Sequence, residues 1–233
     1  MNRSLPLEQL QRLLTHIMQH MDHATRDLAF ALQEELESHF VQTVDLKQLL
    51  STHIREQVQM LIRRSVERNE YCHGAGFACH LNAEKQKDYW ILEWWFKEDN
   101  RIEQANLDQG TQQRLDFRTF EWFNQAAAQQ TTHFHGPYVD YICNTAYTIT
   151  AAHPIFVQQQ FIGVAVIDLM VANLEKYLTP AIKALNQKVV ISNSDNRVII
   201  SNDPLIRTGS IFKALDRMHE HLNHDYPIRL WLL

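Results

Sequence analysis

A single apolar stripe constrains the first forty residues more tightly than any other feature constrains its own segment. Leu7, Leu10, Leu14, Ile17, Met21, Ala24, Leu28 and Ala31 recur in steps of three and four, the spacing that keeps side chains on one face of a 3.6-residue helix. It predicts one long helix over residues 5 to about 41. The same spacing fits a heptad seam, so the stripe is covered either by the helix's own domain or by a second copy of the chain. After a Val41-Gln42-Thr43-Val44 break, Asp45 stands three residues before Gln48 as in a capping box. Leu46, Leu49, Leu50, Ile54, Val58, Leu61, Ile62 and Val66 then carry a second helix to about Arg68. Arg63, Arg64 and Arg68 suit the negative end of that helix's dipole and need no nucleic acid to explain them.

Past Arg68 the period changes from helical to alternating. Residues 75–81 and 88–96 read as strands joined by the polar residues 82–87. The second strand carries aromatic side chains on both faces (Tyr89 and Trp95 on one, Trp90, Trp94 and Phe96 on the other), as a central strand would. Glu93 among the tryptophans is either an edge-exposed acid or a pocket acid. Residues 97–116 are polar and read as a long loop, with or without a short helix, of the kind that often serves as a lid. Residues 117–130 look helical, a polar link leads to a Gly136-Pro137 turn, and residues 147–157 and 161–169 read as strands around Gln158-Gln159-Gln160. Residues 171–185 form a helix interrupted or restarted at Thr179-Pro180, and residues 188–192 and 197–201 make a hairpin around Ser194-Asp195-Asn196. Antiparallel hairpins with helices to one side define an α+β fold: a sheet of five or six strands, a long N-terminal helix and flanking helices. The domain reading is residues 1–44 as that helix and residues 45–233 as one domain.

Composition bounds the function class. Hydrophobic content of 45% with 21% charge belongs to a soluble globular chain. A net charge of -5 gives no concentrated basic face for nucleic acid. No apolar run approaches the roughly 20 residues that span a bilayer, and Met1 to Pro6 lead into an amphipathic helix, so the expected location is cytoplasmic and away from the membrane. Cys72, Cys79 and Cys143 cannot all pair, and are expected to be free and buried.

The candidate site lies between Phe117 and Met170. Trp122 and Phe123 form an aromatic pair, Tyr138-Val139-Asp140 follows Gly136-Pro137, and Asp168 stands near the end of an apolar strand. Two carboxylates beside an aromatic wall suit a cationic amine, through charge-assisted hydrogen bonds and cation–π contact. Each residue also has a plainer role: Trp122 and Phe123 as core, Tyr138 as turn packing, and Asp168 as the N-cap of the following helix.

This stretch resembles the Cache family of PAS-like ligand-sensing domains. The resemblance rests on Trp122-Phe123, Gly136-Pro137-Tyr138-Val139-Asp140, the residues from Thr148 to Ile155, Gly163 to Leu169 before a helix, and a final hairpin from Val189 to Asn202. It covers roughly residues 45–203 and implies a single Cache module. In amine- and amino-acid-binding members, an Arg two residues before the Trp holds the ligand carboxylate, and the Tyr-x-Asp and later Asp hold its amino group. Trp122, Tyr138, Asp140 and Asp168 match that pattern, but Phe120 stands where the Arg would be. Arg118, two residues earlier, points from a different side of a helix or turn. The resemblance therefore implies a ligand-binding set of Trp122, Tyr138, Asp140, Asp168, Phe120 and Phe123, and a small amine or related cation rather than an ordinary amino acid. With no kinase or cyclase signature in the chain, a sensor would act through a partner signalling or regulatory protein or through its own assembly, and the heptad-like stripe of the N-terminal helix points to a homodimer.

Two other classes compete with the sensor. One is a metal-dependent enzyme. His16 and His20 are four apart, Cys72-His73 and Cys79-His80 bracket the first strand, His133 and His135 flank Phe134, and His219, His221 and His224 cluster late. None shows the Cys-x2-Cys with His-x3-5-His spacing of a structural zinc site, no Gly-x-Ser-x-Gly, phosphate loop or His-Glu-x-x-His is present, and neither metal, cofactor nor catalytic activity is expected. The other is an interaction domain that has lost its ligand, with Phe120 as the sign of decay.

Overall fold

The structure is a computed structural model, and it describes residues 4–39, 52–81, 89–99, 101–105, 116–141, 145–214, 219–222 and 226–233. The break at Val41–Val44, the capping box at Asp45, the polar connection after the first strand and Cys143 lie outside the described residues. The elements are α1 (Ser4–His39), α2 (Thr52–Arg68), β1 (Gly74–Leu81), β2 (Tyr89–Glu98), β3 (Arg101–Gln104), a 3-10 turn (Phe117–Thr119), α3 (Glu121–Gln129), β4 (His133–Asp140), β5 (Ala146–Val157), β6 (Gln160–Met170), α4 (Val171–Leu185), β7 (Val189–Asn193), β8 (Val198–Ser201), β9 (His219–Leu222) and β10 (Ile228–Leu232). They make two antiparallel sheets, one of six strands in the order β3-β2-β1-β6-β5-β4 and one of four in the order β8-β7-β10-β9. The α+β fold with a long N-terminal helix and flanking helices is the one expected.

Several local expectations are corrected. The stripe on α1 stays helical in period but turns with the helix. Leu10, Leu14, Ile17, Met18, Met21, Thr25, Leu28, Ala29, Leu32 and Leu36 are buried within the single chain, whereas Ala24 and Ala31 are only half-buried. A strict seven-residue repeat drifts off a straight helix by about 20° per heptad, which is why the buried face leaves the alanines behind. Part of the predicted lid is strand β3, paired to the end of β2 from Trp95↔Gln104 to Glu98↔Arg101. Gly136 and Pro137 lie inside β4, not in a turn. Helix α4 runs unbroken through Pro180, which is exposed. The terminal strands β9 and β10 extend the predicted β7–β8 hairpin into a sheet of its own.

By contacts the chain forms two compact units, residues 21–134 with 150–168, and residues 1–20, 135–149 and 169–233. In the first, β1 is an interior strand paired with β2 on one side and β6 on the other. Directly paired residues of an antiparallel ladder share a face. Gly74, Gly76 and Ala78 therefore share one face with Phe96, Trp94 and Leu92 of β2 and with Asp168, Val166 and Val164 of β6. Ala75 and Phe77 share the other with Trp95, Glu93, Ile167 and Ala165. Helix α2 covers this second face. Arg55 Nε donates to Glu93 Oε1 at 2.5 Å and Gln59 Nε2 to Glu93 Oε2 at 2.9 Å, while the Arg63 guanidinium lies 5.9 Å from the centre of the Trp95 ring. Glu93 is thus neither an edge acid nor a pocket acid; it is 4% exposed and a third donor, Gln104 Nε2, reaches it at 3.2 Å. The β5–β6 hairpin turns on Gln158 and Gln159, both at positive φ (50° and 65°), the pair of left-handed residues whose twist matches the flanking strands.

In the second unit, Val190, Val198, Phe212 and Trp231 form the core of the four-stranded sheet. The Trp231 indole N–H donates to Ser192 Oγ at 3.0 Å, satisfying both groups in a buried position. Asn193 binds three segments together. Its Oδ1 accepts from the Asp195 and Arg197 amides at 3.0 and 2.8 Å, and its Nδ2 donates to the Gly136 carbonyl at 2.8 Å. Gly136 itself sits at φ +127°, and a β-carbon there would come within 2.6 Å of the Thr148 carbonyl oxygen, so no other residue fits.

Trp94 covers the face of β1 on which Gly74 and Gly76 carry no side chain. Its ring lies over Gly74 and Gly76; a β-carbon on Gly74 would stand 2.8 Å from Trp94 Cζ2, and one on Gly76 would stand 2.5 Å from the Glu93 carbonyl oxygen. Gly76→Ala should therefore lower unfolding stability by about 1–3 kcal/mol, the range for overpacking a filled site, with urea denaturation as the measurement. Cys72 and Cys79 are free and buried. Burial pushes both thiols up to about 12, and the thiolate is the reactive form. Alkylation at pH 8 followed by peptide mapping should find both unmodified in the native protein and modified once denaturant is added.

Candidate functional site

The aromatic part of the predicted site is one packed cluster. The 3-10 turn brings Phe117 under α3, where its ring stacks on Trp122 (centroids 6.2 Å apart, 20° between planes) and tilts against Phe123 at 5.2 Å. Phe123 meets Phe161 of β6 edge-on at 5.6 Å. Trp122 and Phe123 are 5% and 4% exposed. Phe120 is the N-cap of α3, in extended conformation, and its half-buried ring meets Trp122 edge-on at 5.8 Å. No side chain caps this helix start, because a phenylalanine offers no acceptor.

Arg118 does not take the place of the arginine missing at position 120. Its Nε and Nη2 donate to the two carboxylate oxygens of Asp116 at 2.6 and 2.8 Å. Its Nη1 lies 3.2 Å from His80 Nε2, and the guanidinium sits 4.2 Å above the Trp90 ring. The hydrogen bonds from Arg118 hold the Asp116 carboxyl below the usual carboxylate range. A guanidinium with a bidentate carboxylate and a ring face is already matched in charge and geometry.

Asp168 is the buried acid of the site. It lies inside β6 in register with Gly74, and the residue capping α4 is Met170, which makes no side-chain cap. The N-cap role is excluded by that placement: the strand runs two residues too far. Asp168 is 2% exposed, and the Thr150 hydroxyl donates to its Oδ1 at 2.6 Å. Thr150 is itself fully buried on β5. Nearby on the same sheet face, the Trp94 indole N–H is buried and has no hydrogen-bond partner among the described residues. Leaving such a donor unanswered costs about 1–3 kcal/mol, and its nitrogen lies 3.1 Å from where a Gly74 β-carbon would be. Trp94 and Thr150 are the residues that sequence reasoning missed. The Gly74-x-Gly76 alternation opposite an aromatic strand carried a trace of the first; the second depends on a contact across 18 residues and left none.

Tyr138 and Asp140 belong to the other unit. The Tyr138 ring tilts against His135 at 5.0 Å. Asp140 is 5% exposed and ends β4, where its carbonyl accepts from the Thr145 amide at 2.6 Å.

A PAS-like sheet with a long N-terminal helix, carrying a buried carboxylate and an aromatic cluster, defines a ligand-sensing domain of the Cache type. The chain belongs to the methyl-accepting-chemotaxis-protein-like family of first PDC sensor domains, whose model matches residues 58–176, just over half of its length. It is a sensor domain of the chemoreceptor class. No curated protein matches it in sequence. Solved structures share the fold. The extracellular domain of a histidine kinase, soHK1S-Z6, is 16% identical with a TM-score of 0.57, over 95% of this chain and 93% of that one. The sensory domain of a Campylobacter jejuni chemoreceptor with isoleucine bound is 13% identical with a TM-score of 0.61, over 99% and 90%. The ligand-binding domain of the Pseudomonas aeruginosa amino acid chemoreceptor PctC, in complex with GABA, is 13% identical with a TM-score of 0.60, over 99% and 95%.

Thr150→Val should cost about 1–3 kcal/mol, because it leaves a buried carboxylate oxygen without its donor, while Thr150→Ser, which keeps the hydroxyl, should cost less. Urea denaturation of the two variants beside the parent gives the comparison.

Proposed function

We propose that this domain binds a small amine or related cation and passes the binding event to a partner signalling protein. The observation that carries the reading is Asp168: a buried carboxylate on the sheet face away from α2, held by a neutral hydroxyl. A buried carboxylate favours a cationic partner strongly, since charge–charge hydrogen bonding offsets its desolvation. Trp122, Phe123 and Phe120 are assigned to that ligand as its apolar wall. Phe120 and the engagement of Arg118 with Asp116 speak against a carboxylate on the ligand, because a buried anion there would lack a cation. The similar chemoreceptor domains with isoleucine or GABA bound support the class of ligand as far as its amino group.

Signalling requires that ligand affinity differ between two conformations, and the partner and a possible homodimer belong to that step. A cytoplasmic location is the expectation from the sequence alone. No helix among the described residues is long and apolar enough to cross a membrane. One similar structure is an extracellular domain, and the ligand reading holds on either side of a membrane.

A thermal-shift panel tests it. Aliphatic amines and diamines should raise the melting temperature, by several degrees at about a hundredfold excess over Kd, where linkage adds about 2.7 kcal/mol. Asp168→Asn should remove the shift while its own melting stays cooperative. Stabilisation by carboxylates or neutral metabolites but not by amines would sink the proposal.

A further inference from the structure

We infer that the Trp94 indole N–H is a specificity-determining donor for the ligand, so that the cation bound at Asp168 also carries a neutral oxygen acceptor, as an amino alcohol does. The inference rests on the amine reading above and supplies the second end of that ligand. Trp94, Gly74, Thr150 and Asp168 all belong to one compact unit. Gly74 is directly across from Asp168 in the β1–β6 ladder. The edge of the Trp94 ring that carries Nε1 lies over Gly74, and the opposite edge, at Cε3 and Cζ3, lies over Gly76. The indole nitrogen is 3.1 Å from where a Gly74 β-carbon would stand. Directly opposed β-carbons are about 4.5–5.5 Å apart, which puts that nitrogen within about 9 Å of the Asp168 β-carbon.

The chemistry of the donor selects the ligand. Trp94 is 4% exposed, and its N–H is buried with no hydrogen-bond partner among the described residues. An indole nitrogen only donates, and so does an ammonium, so a plain alkylamine at Asp168 leaves Trp94 unanswered. An acceptor on the ligand removes the penalty of that buried donor. The acceptor is neutral, because Arg118 is committed to Asp116 and Phe120 offers an anion no charge. An ammonium and an oxygen roughly two or three carbons apart, each extended by a hydrogen bond of about 2.9 Å, cover the distance between Asp168 and Trp94. The Trp95 N–H is also without a partner, but it stands on the opposite face, toward Arg63 of α2. The plainer role for Trp94 is packing over the two glycines, with its N–H answered by a buried water, and it gives no preference among amines.

Isothermal calorimetry on the full chain compares ethanolamine with n-propylamine, which has a methyl group in place of the hydroxyl, and with free glycine, which ends in a carboxylate. Ethanolamine should bind about fivefold or more tighter than n-propylamine, the size of one neutral hydrogen bond, and tighter than glycine. Trp94→Phe should abolish the preference by weakening ethanolamine while leaving n-propylamine unchanged, and Trp95→Phe should keep it. Asp168→Asn should weaken both amines together. Equal affinity of the two amines in the parent chain, a preference that survives Trp94→Phe, or tighter binding of glycine would overturn this inference and leave the amine reading standing. Amine binding that is absent, or indifferent to Asp168→Asn, would overturn both. The parent comparison needs no variant, so it decides the hydroxyl preference even where Trp94→Phe does not fold.

Discussion

The absence of two β-carbons on β1 is the constraint on which the first unit depends. Gly74 and Gly76 leave a floor of bare backbone, and the Trp94 indole fills the space above it. Because β1 pairs with β2 and β6 together, that floor fixes which face of three strands carries aromatic bulk close to the backbone. A side chain at either glycine would lift the ring and change the depth of the face at Asp168, directly across from Gly74. The opposite face, with Glu93 and Trp95, is committed to α2.

Glu93 and Asp168 are buried on opposite faces of the β2-β1-β6 strands. Glu93 accepts from Arg55, Gln59 and Gln104, so its charge is matched by a guanidinium and its lone pairs by two amides. A buried carboxylate so satisfied is a structural group. Asp168 is as deeply buried, and the Thr150 hydroxyl donates to its carboxylate.

Legibility in the sequence followed the range of the interactions. Helix α1, β1, β2, β5, β6, α4 and the β7–β8 hairpin were readable because period and turn residues are local signals. Strand β3 was hidden because Ile102 is the one apolar residue in Arg101-Ile102-Glu103-Gln104, as an edge strand allows. Strand β4 was hidden because Gly136-Pro137 reads as punctuation, although the close approach to Thr148 is what the glycine serves. Pro180 failed to break α4 because tertiary packing of Leu174, Leu178, Ala181 and Ile182 outweighs its missing N–H. In the site, residue types and order could be read, including the loss of arginine at position 120. The Thr150–Asp168 bond, the Arg118–Asp116–Trp90 grouping and the orphan donor of Trp94 could not, since each depends on strands or loops distant in sequence.

The Glu93 clasp also has a mechanical meaning. Arg55 and Gln59 are four residues apart on α2 and grip the two oxygens of one carboxylate rooted in β2. A helix advances about 1.5 Å per residue, and hydrogen bonds of 2.5 and 2.9 Å do not survive a slide of that size. Helix α2 therefore cannot creep along β2; it moves with the strand or lets go of it. A displacement of β2 that keeps both bonds carries α2 with it, as through a pinned joint.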